Sequence, residues 1–321
     1  GSDFGLCLPV HGLAAETAAA IHGALVGAPA LRAGGCEVAV GAADGLAGIA
    51  AGAALAEADA ALAHAESVHG LAVEGRAGLA ADVAGARAWR DQIAAALAEG
   101  RARLGEYPVL APEGGLIHLE CPLRLQLEDG GEFRPAAHWL ALARRSRLMP
   151  EVDLAALALA LQATAADSRP RAVHIATASL GAPGFVGEVA QRLRARPDAA
   201  RRLALEWVEP VRPVDVRAWA EAAALWRGEG VRLGVEHAGA APQQLPRLQD
   251  VGIDYVKVDA RHLRGLGTDA SVHSYAQGLL ALIHGLGLVA LAEGVDDASD
   301  LAALWALGFD GATGAAVGAP A

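Results

Sequence analysis

Asp254-Tyr-Val-Lys-Val-Asp259 is the stretch from which the rest of the chain is read. Val256 and Val258 alternate with Tyr255, Lys257 and Asp259. The run therefore predicts a short strand with a lysine and an aspartate on one face, near its C-terminal end. A lysine inside a fold is costly unless acidic groups or an anionic ligand lie beside it. Working outward, such acids recur near the ends of other predicted strands: Glu120, Glu206 with Glu209, Glu236 with His237, and Glu293 with Asp296. Strand patterns cover residues 116–125, 172–177, 203–208, 232–236, 255–259, 288–293 and 311–316. Helical patterns lie between them at 153–165, 184–194, 214–227, 244–249, 272–286 and 298–307. This alternation predicts parallel strands joined by crossover helices. Its length suits a (β/α)8 barrel, with a doubly wound sheet as the alternative. In a barrel, polar residues at the strand C-terminal ends converge on one mouth.

That mouth would collect Glu120, His174, Glu206, Glu236, His237, Asp259 and Glu293, with Lys257 and Arg124. Carboxylates and a histidine suit Mg²⁺ or Mn²⁺. Lysine and arginine suit phosphate oxygens. Together they point to metal-assisted phosphodiester chemistry, or to a site derived from it.

The totals set bounds. The 321 residues allow two domains or one large one, and 54% are hydrophobic. No apolar run reaches the roughly 18 residues of a membrane span. The formal charge of −11 argues against a broad nucleic-acid surface. Cys7, Cys36 and Cys121 form no CxxC pair and suggest reduced, cytosolic thiols. No secretory signal is visible. The chain begins with Gly and reads as a fragment, which leaves room for a preceding membrane region. Residues 1–78 predict an α/β module, with strands at 4–9, 36–40 and 71–74 and helices at 14–26 and 51–68. Residues 79–104 carry Val83, Ala86, Trp89, Ile93 and Leu97 at helical spacing and predict a stiff connecting helix. Residues 105–321 form the barrel domain.

Two resemblances add to this. Gly115-Leu-Ile-His-Leu-Glu-Cys-Pro-Leu-Arg-Leu125 resembles the first strand of an EAL phosphodiesterase domain, with Glu120-Cys121-Pro122 at Glu-Ala-Leu. Val173-His-Ile-Ala176, Leu205-Glu-Trp-Val-Glu209, Gly234-Val-Glu-His-Ala-Gly239, Lys257-Val-Asp259, Ala292-Glu-Gly-Val-Asp296, Thr313-Gly314 and Pro320 are similar to its later motifs, in order. The second resemblance is to a GGDEF domain: Gly1-Ser-Asp-Phe-Gly-Leu-Cys-Leu-Pro9 stands at its signature hairpin and Ala58-Asp-Ala-Ala-Leu-Ala-His-Ala-Glu66 at its following helix. That part would be truncated and degenerate, without cyclase activity, leaving Asp3 and Asp59 as exposed acids.

The resemblance implies cyclic di-GMP as ligand, bound by Arg124, Glu120, His174, Glu206, Glu236, Lys257, Asp259, Glu293, Thr313 and Gly314. Active members place an asparagine where His174 stands and an aspartate pair where Glu236 and His237 stand. Metal, if any, would sit on Glu120, His174, Glu206 and Glu236. Glu120, Lys257 and Glu293 are the catalytic remnants, and Arg144 and Arg147 replace a Glu and a Gly. The resemblance therefore implies an inactive receptor of the LapD type that needs no cofactor and signals through a protein effector. Two alternatives stand beside it. One is an interaction scaffold without nucleotide binding. The other is a weak phosphodiesterase using Mg²⁺ or Mn²⁺, with Zn²⁺ on His174 and His237 as a variant. A homodimer is expected, and a cytoplasmic location, as the cytosolic output part of an inner-membrane protein.

Overall fold

The computed structural model describes residues 5–6, 14–28, 38–44, 58–59, 61–62, 65, 71–75, 86–208 and 216–318. The chain divides into two compact units: Gly1–Ala102 with Leu125–Leu148, and Arg103–Arg124 with Met149–Ala321.

In the first unit, a helix spans Ala14–Gly27, and strands Val40–Asp44 and Leu71–Gly75 pair in parallel. Residues 58–59, 61–62 and 65 are helical, and the remainder of the helix expected at 51–68 lies outside the described residues. So do most of the strand expected at 4–9 and most of the GGDEF-like hairpin. Among the described residues the expected connecting helix spans Ala86–Ala98 and buries Trp89, Ile93 and Ala96 at helical spacing; residues 79–85, with Val83, lie outside the described residues. It does not run on to residue 104. Gly100 takes a φ of 69°, which unwinds the last turn, and Ala102–Leu104 is a short strand. Residues 125–148 belong to this unit. There Leu125 and Gln126 pair antiparallel with Arg134 and Phe133, and the helix Leu140–Arg145 is followed by Arg147 in the left-handed region, at a φ of 58°. Glycine would take that conformation more readily.

The second unit holds a closed eight-stranded barrel. Its strands are β1 (Tyr107–Leu110), β2 (Leu116–Glu120), β3 (Arg171–His174), β4 (Leu203–Val208), β5 (Arg232–Ala238), β6 (Tyr255–Asp259), β7 (Val289–Glu293) and β8 (Gly311–Ala312). From β2 to β8 every neighbouring pair is parallel. β1 is the exception: it closes the barrel between β8 and β2 and is antiparallel to both. The all-parallel expectation is corrected on this point, and the strand expected at 116–125 is two strands. β2 stops at Glu120, and Leu123–Gln126 begins after Pro122, whose nitrogen has no hydrogen to give to a ladder.

Inside the barrel, Val109, Ile117, Ala172, Ala204, Tyr255 and Leu291 pack as a layer. Two alanines leave room for the one tyrosine. Outside it, Trp207 on β4 packs against Trp219 and Trp226 of the helix Val216–Gly228, at centroid distances of 4.8 and 5.9 Å. Among the described residues no helix is long and apolar enough to cross a membrane.

Candidate active site

Strand periodicity explains why the mouth is charged. Along β6, Tyr255, Lys257 and Asp259 point to one face at successive depths, and all three are buried. The neighbouring strands bring acids to the same level: Glu120 ends β2, Glu293 ends β7, and Glu206 lies buried on β4. The Lys257 ammonium has no exposed surface and is ringed by carboxylates. Its Nζ lies 3.1 Å from Glu206 Oε2, 3.3 Å from Glu120 Oε1, 3.8 Å from Glu293 Oε2 and 3.9 Å from Glu236 Oε2. Burial opposes its charge, but Glu120, Glu206, Glu293 and Glu236 together hold its pKa well above the ordinary lysine value.

Adjacent residues on a regular strand face opposite ways, so Glu236 and His237 should not both reach the mouth. They do because β5 shifts register between Val235 and Ala238, and His237 takes a φ of 55°. Glu236 turns toward His174, whose Nε2 lies 2.9 Å from Glu236 Oε2, 3.4 Å from Glu206 Oε2 and 3.7 Å from Glu120 Oε1. His237 turns the other way. Its backbone N–H donates to Glu293 Oε1 at 3.0 Å, its Nδ1 contacts the same oxygen, and Asp259 Oδ2 lies 3.5 Å off.

These contacts set the charges. Burial works against protonation of both rings. Glu236 with Glu120 and Glu206 nevertheless raises His174 well above its ordinary value, and Asp259 with Glu293 raises His237 to about 10. Burial pushes the carboxylates up. Lys257 and His174 overcome that at Glu120, held down to about 2, and at Glu206; His174 and Lys257 do so at Glu236. At Glu293 burial prevails over His237 and Lys257, and its pKa is raised. Asp259 is also buried, but His237 and Arg261 hold it below the usual carboxylate range.

Of the residues expected from the sequence, Glu120, Asp259, Glu293, Thr313 and Gly314 line a cavity of about 560 Å³ at the mouth, with His237, Tyr107, Pro108 and Ala315. Glu206 and Lys257 lie beneath it with no exposed side chain, Glu236 is buried, and His174 is partly exposed. Arg124 does not line the cavity. Its guanidinium donates to the Tyr107 hydroxyl at 2.6 Å, so it reaches the mouth through that ring. Glu209 and Pro320 lie outside the described residues. Gly314 sits at a φ of 140° where a Cβ would meet the Val295 backbone at 2.3 Å, so only glycine fits this wall. The loop after His174 is fastened by the buried Asp153, which accepts from the Ala176 N–H and the Ser179 hydroxyl at 2.8 and 2.6 Å.

Two parts of the site escape a motif-level reading. The Tyr255 hydroxyl donates to Glu206 Oε1 at 2.7 Å. His118 is fully buried, 3.8 Å from that same oxygen, and neither of its ring nitrogens has a hydrogen-bond partner. Its place two residues before Glu120 on one strand was the available signal. Gly234, the register partner of Tyr255, leaves the room this ring needs. A Cβ there would fall 2.4 Å from two ring carbons. Gly234→Ala is therefore expected to cost about 1–3 kcal/mol of stability. A urea midpoint equal to that of the unmodified chain would show that the ring is not held there.

Two triplets, Glu120–His174–Glu236 and His237–Asp259–Glu293, bring one ligand atom each within 4.8 Å of one another. Their atoms fit a divalent ion in part: His174 Nε2, Glu236 Oε2 and Glu293 Oε2 are buried and make no hydrogen bond among the described residues, while others are engaged. Glu293 Oε1 already takes the His237 N–H and is contacted by Nδ1. Glu206 takes Tyr255 on one oxygen and Lys257 on the other. Glu120 Oε1, Glu206 Oε2 and Glu236 Oε2 each face both Lys257 and His174.

A closed barrel with one antiparallel strand and a lysine ringed by strand-end glutamates defines a class, and the chain belongs to the EAL domain family, whose pattern matches residues 90–320. It is 25% identical over 239 residues to the cyclic di-GMP phosphodiesterase PdeB of Shewanella oneidensis, which covers 72% of this chain. The chain spans only 28% of that relative's length. Its fold is similar to Vibrio cholerae LapD S helix-GGDEF-EAL bound to c-di-GMP. The TM-score is 0.76 at 19% identity, over 87% of this chain and 69% of that one. It is also similar to the FimX EAL domain of Pseudomonas aeruginosa bound to c-di-GMP, with a TM-score of 0.65 at 21% identity, over 73% of this chain and 96% of that one.

Proposed function

We propose that this chain is a cyclic di-GMP receptor that binds the nucleotide at the barrel mouth without cleaving it. The observation that carries this is the pairing of the mouth carboxylates with the protein's own cationic nitrogens. Hydrolysis of a phosphodiester needs a water or an ion placed on such oxygens. Here they face Lys257, His174 and His237. The same cations moderate a mouth that would otherwise repel a nucleotide phosphate. His237 is half-exposed and lines the cavity beside Thr313 and Gly314. Arg124 supports Tyr107 on the same wall. The cavity falls in the size range of small-molecule sites. Two solved relatives of the same fold hold c-di-GMP. In this reading residues 1–78 are a partial, degenerate GGDEF-like module. The similarity to the LapD structure supports that, since it extends over more of the chain than residues 90–320. Output passes to a protein effector, and the chain pairs as a homodimer.

A second reading is a weak metal-dependent phosphodiesterase, favoured by the convergence of Glu120, Glu206, Glu236, Asp259 and Glu293 around Lys257 and by the similarity to PdeB. Calorimetric titration with cyclic di-GMP, with and without Mg²⁺ or Mn²⁺, followed by analysis of the nucleotide, separates the two. Saturable binding with intact nucleotide is the expected result. Conversion to the linear dinucleotide supports the enzyme. No heat at millimolar nucleotide overturns both and leaves an interaction scaffold.

A further inference from the structure

We infer that Tyr107 is the platform on which the mouth takes a flat heterocycle such as a purine base, and that Arg124 is a positioning residue that acts through its ring. This rests on the receptor reading and adds to it the part of the nucleotide that this wall serves.

The wall is built by the antiparallel start of the barrel. Tyr107 opens β1, two residues before Val109 of the interior layer. Its register partner is Glu120, which ends β2, so the two side chains share the face turned to the mouth. Tyr107, Pro108 and Pro122 line the cavity from this side with uncharged side chains. His237, Asp259 and Glu293 line it from β5, β6 and β7.

The ring is fixed at both ends. Its backbone belongs to the strand, and Arg124 donates to its hydroxyl at 2.6 Å without lining the cavity itself. Beside both groups lies Gly105, whose N–H donates to the Pro122 carbonyl at 2.9 Å. A Cβ at 105 would fall 3.1 Å from Tyr107 Cε2 and 3.3 Å from Arg124 Nε, so the glycine leaves the space that ring and guanidinium occupy. A phenol held in this way gives up little freedom when a ligand stacks on it.

The chemistry of the wall selects the group that meets it. A phosphate here would lie beside the Glu120 carboxylate and be repelled. An uncharged base has a π face for the ring, whatever its sequence of donors and acceptors. Arg124, expected from the sequence to hold the ligand, instead holds the ring that does.

The test is a thermodynamic cycle of Y107L, R124M and the double variant. Each is titrated with cyclic di-GMP by calorimetry, and the base H8 proton is followed by NMR. Leucine keeps an apolar wall without a π face, and methionine keeps the apolar stem without the donor. Y107L is expected to weaken binding about tenfold or more and to abolish the upfield shift of H8, at an unchanged urea midpoint for the nucleotide-free chain. R124M is expected to weaken binding a few-fold and to have no further effect in the Y107L background. A Y107L chain that binds as tightly as the unmodified one overturns the platform and leaves the receptor reading standing. Additive losses overturn the role of Arg124. If Y107L does not fold, Y107F carries the test: it should keep the H8 shift, match R124M in affinity and be insensitive to adding R124M, and the opposite results overturn the inference. No heat with cyclic di-GMP overturns the receptor reading. Guanosine then tests the wall alone: an upfield H8 shift that the variant abolishes supports the platform, and no shift overturns it.

Discussion

Replacing Lys257 with methionine is expected to lower folding stability by about 3–5 kcal/mol, the usual cost of removing one partner from a buried ion cluster. Methionine keeps the length and most of the volume of the side chain, so the loss reports charge and not a cavity. Four glutamates, three of them buried, would then face one another, with His174 the nearest remaining cation. The measurement is a urea titration at neutral pH, read as a fall in midpoint with an unchanged slope. Adding Glu206→Gln to the variant should return part of the loss, because it removes a charge from the same cluster; a double-mutant cycle gives the coupling. A loss below about 1 kcal/mol would show that the carboxylates are already neutral or solvated, and the electrostatic account of the mouth would fail with it.

Stability is expected to peak near pH 6.5 and to fall on both sides. The acid limb belongs first to His118. Burial, opposed by Glu206, pulls its pKa down from 6.5 to about 4. A base that must stay neutral in the fold contributes stability that is fully present above its unfolded value. That contribution is lost as pH falls from 6.5 toward 4, and it amounts to roughly 3 kcal/mol. Below 4.5 the lowered carboxylates Glu120, Glu206 and Glu236 extend the same limb. The alkaline limb belongs to His174 and His237, whose folded values are raised. Their contribution is fully present below 6.5 and, for His237, is lost as pH rises through about 10. His118→Phe removes the first titration and should flatten the curve between pH 6.5 and 4.5, leaving the alkaline limb in place. An acid limb unchanged in that variant would place its origin elsewhere.

Much of the barrel was legible because its strands alternate and its acids sit at strand ends. Residues 203–208 and 255–259 form strands with the expected bounds, and the helix Ala298–Leu307 starts and stops as its Asp297 cap and Gly308 direct. β1 was not legible. Tyr107-Pro-Val-Leu110 contains a proline, follows Gly105 and is only four residues long, which reads as a connection. The strand expected at 172–177 stops at His174 because Thr177–Leu180 turns into a helix held by Asp153, a partner 23 or more residues away that no local pattern reveals. In the site, Glu120, Glu206, Lys257 and Glu293 were visible as separate strand-end residues. That His174 and His237 would each sit against several carboxylates was not, because it depends on a register shift in β5. Periodicity places residues on faces; it does not show where a strand gains one residue over its neighbour.

The antiparallel β1 has a consequence for how the barrel comes into being. It sits at the start of the barrel sequence yet must bond β8, about two hundred residues later, through a seam whose one paired position is Ala312 with Leu110. Closure is thus a long-range event, slow by the usual dependence of folding rate on sequence separation. Until it happens, β1 and β8 are open edges on which another chain could pair. Thr313 and Gly314 follow the seam directly and wall the mouth. A molecule held there would act as a clasp, bracing the place where the cylinder is most easily reopened.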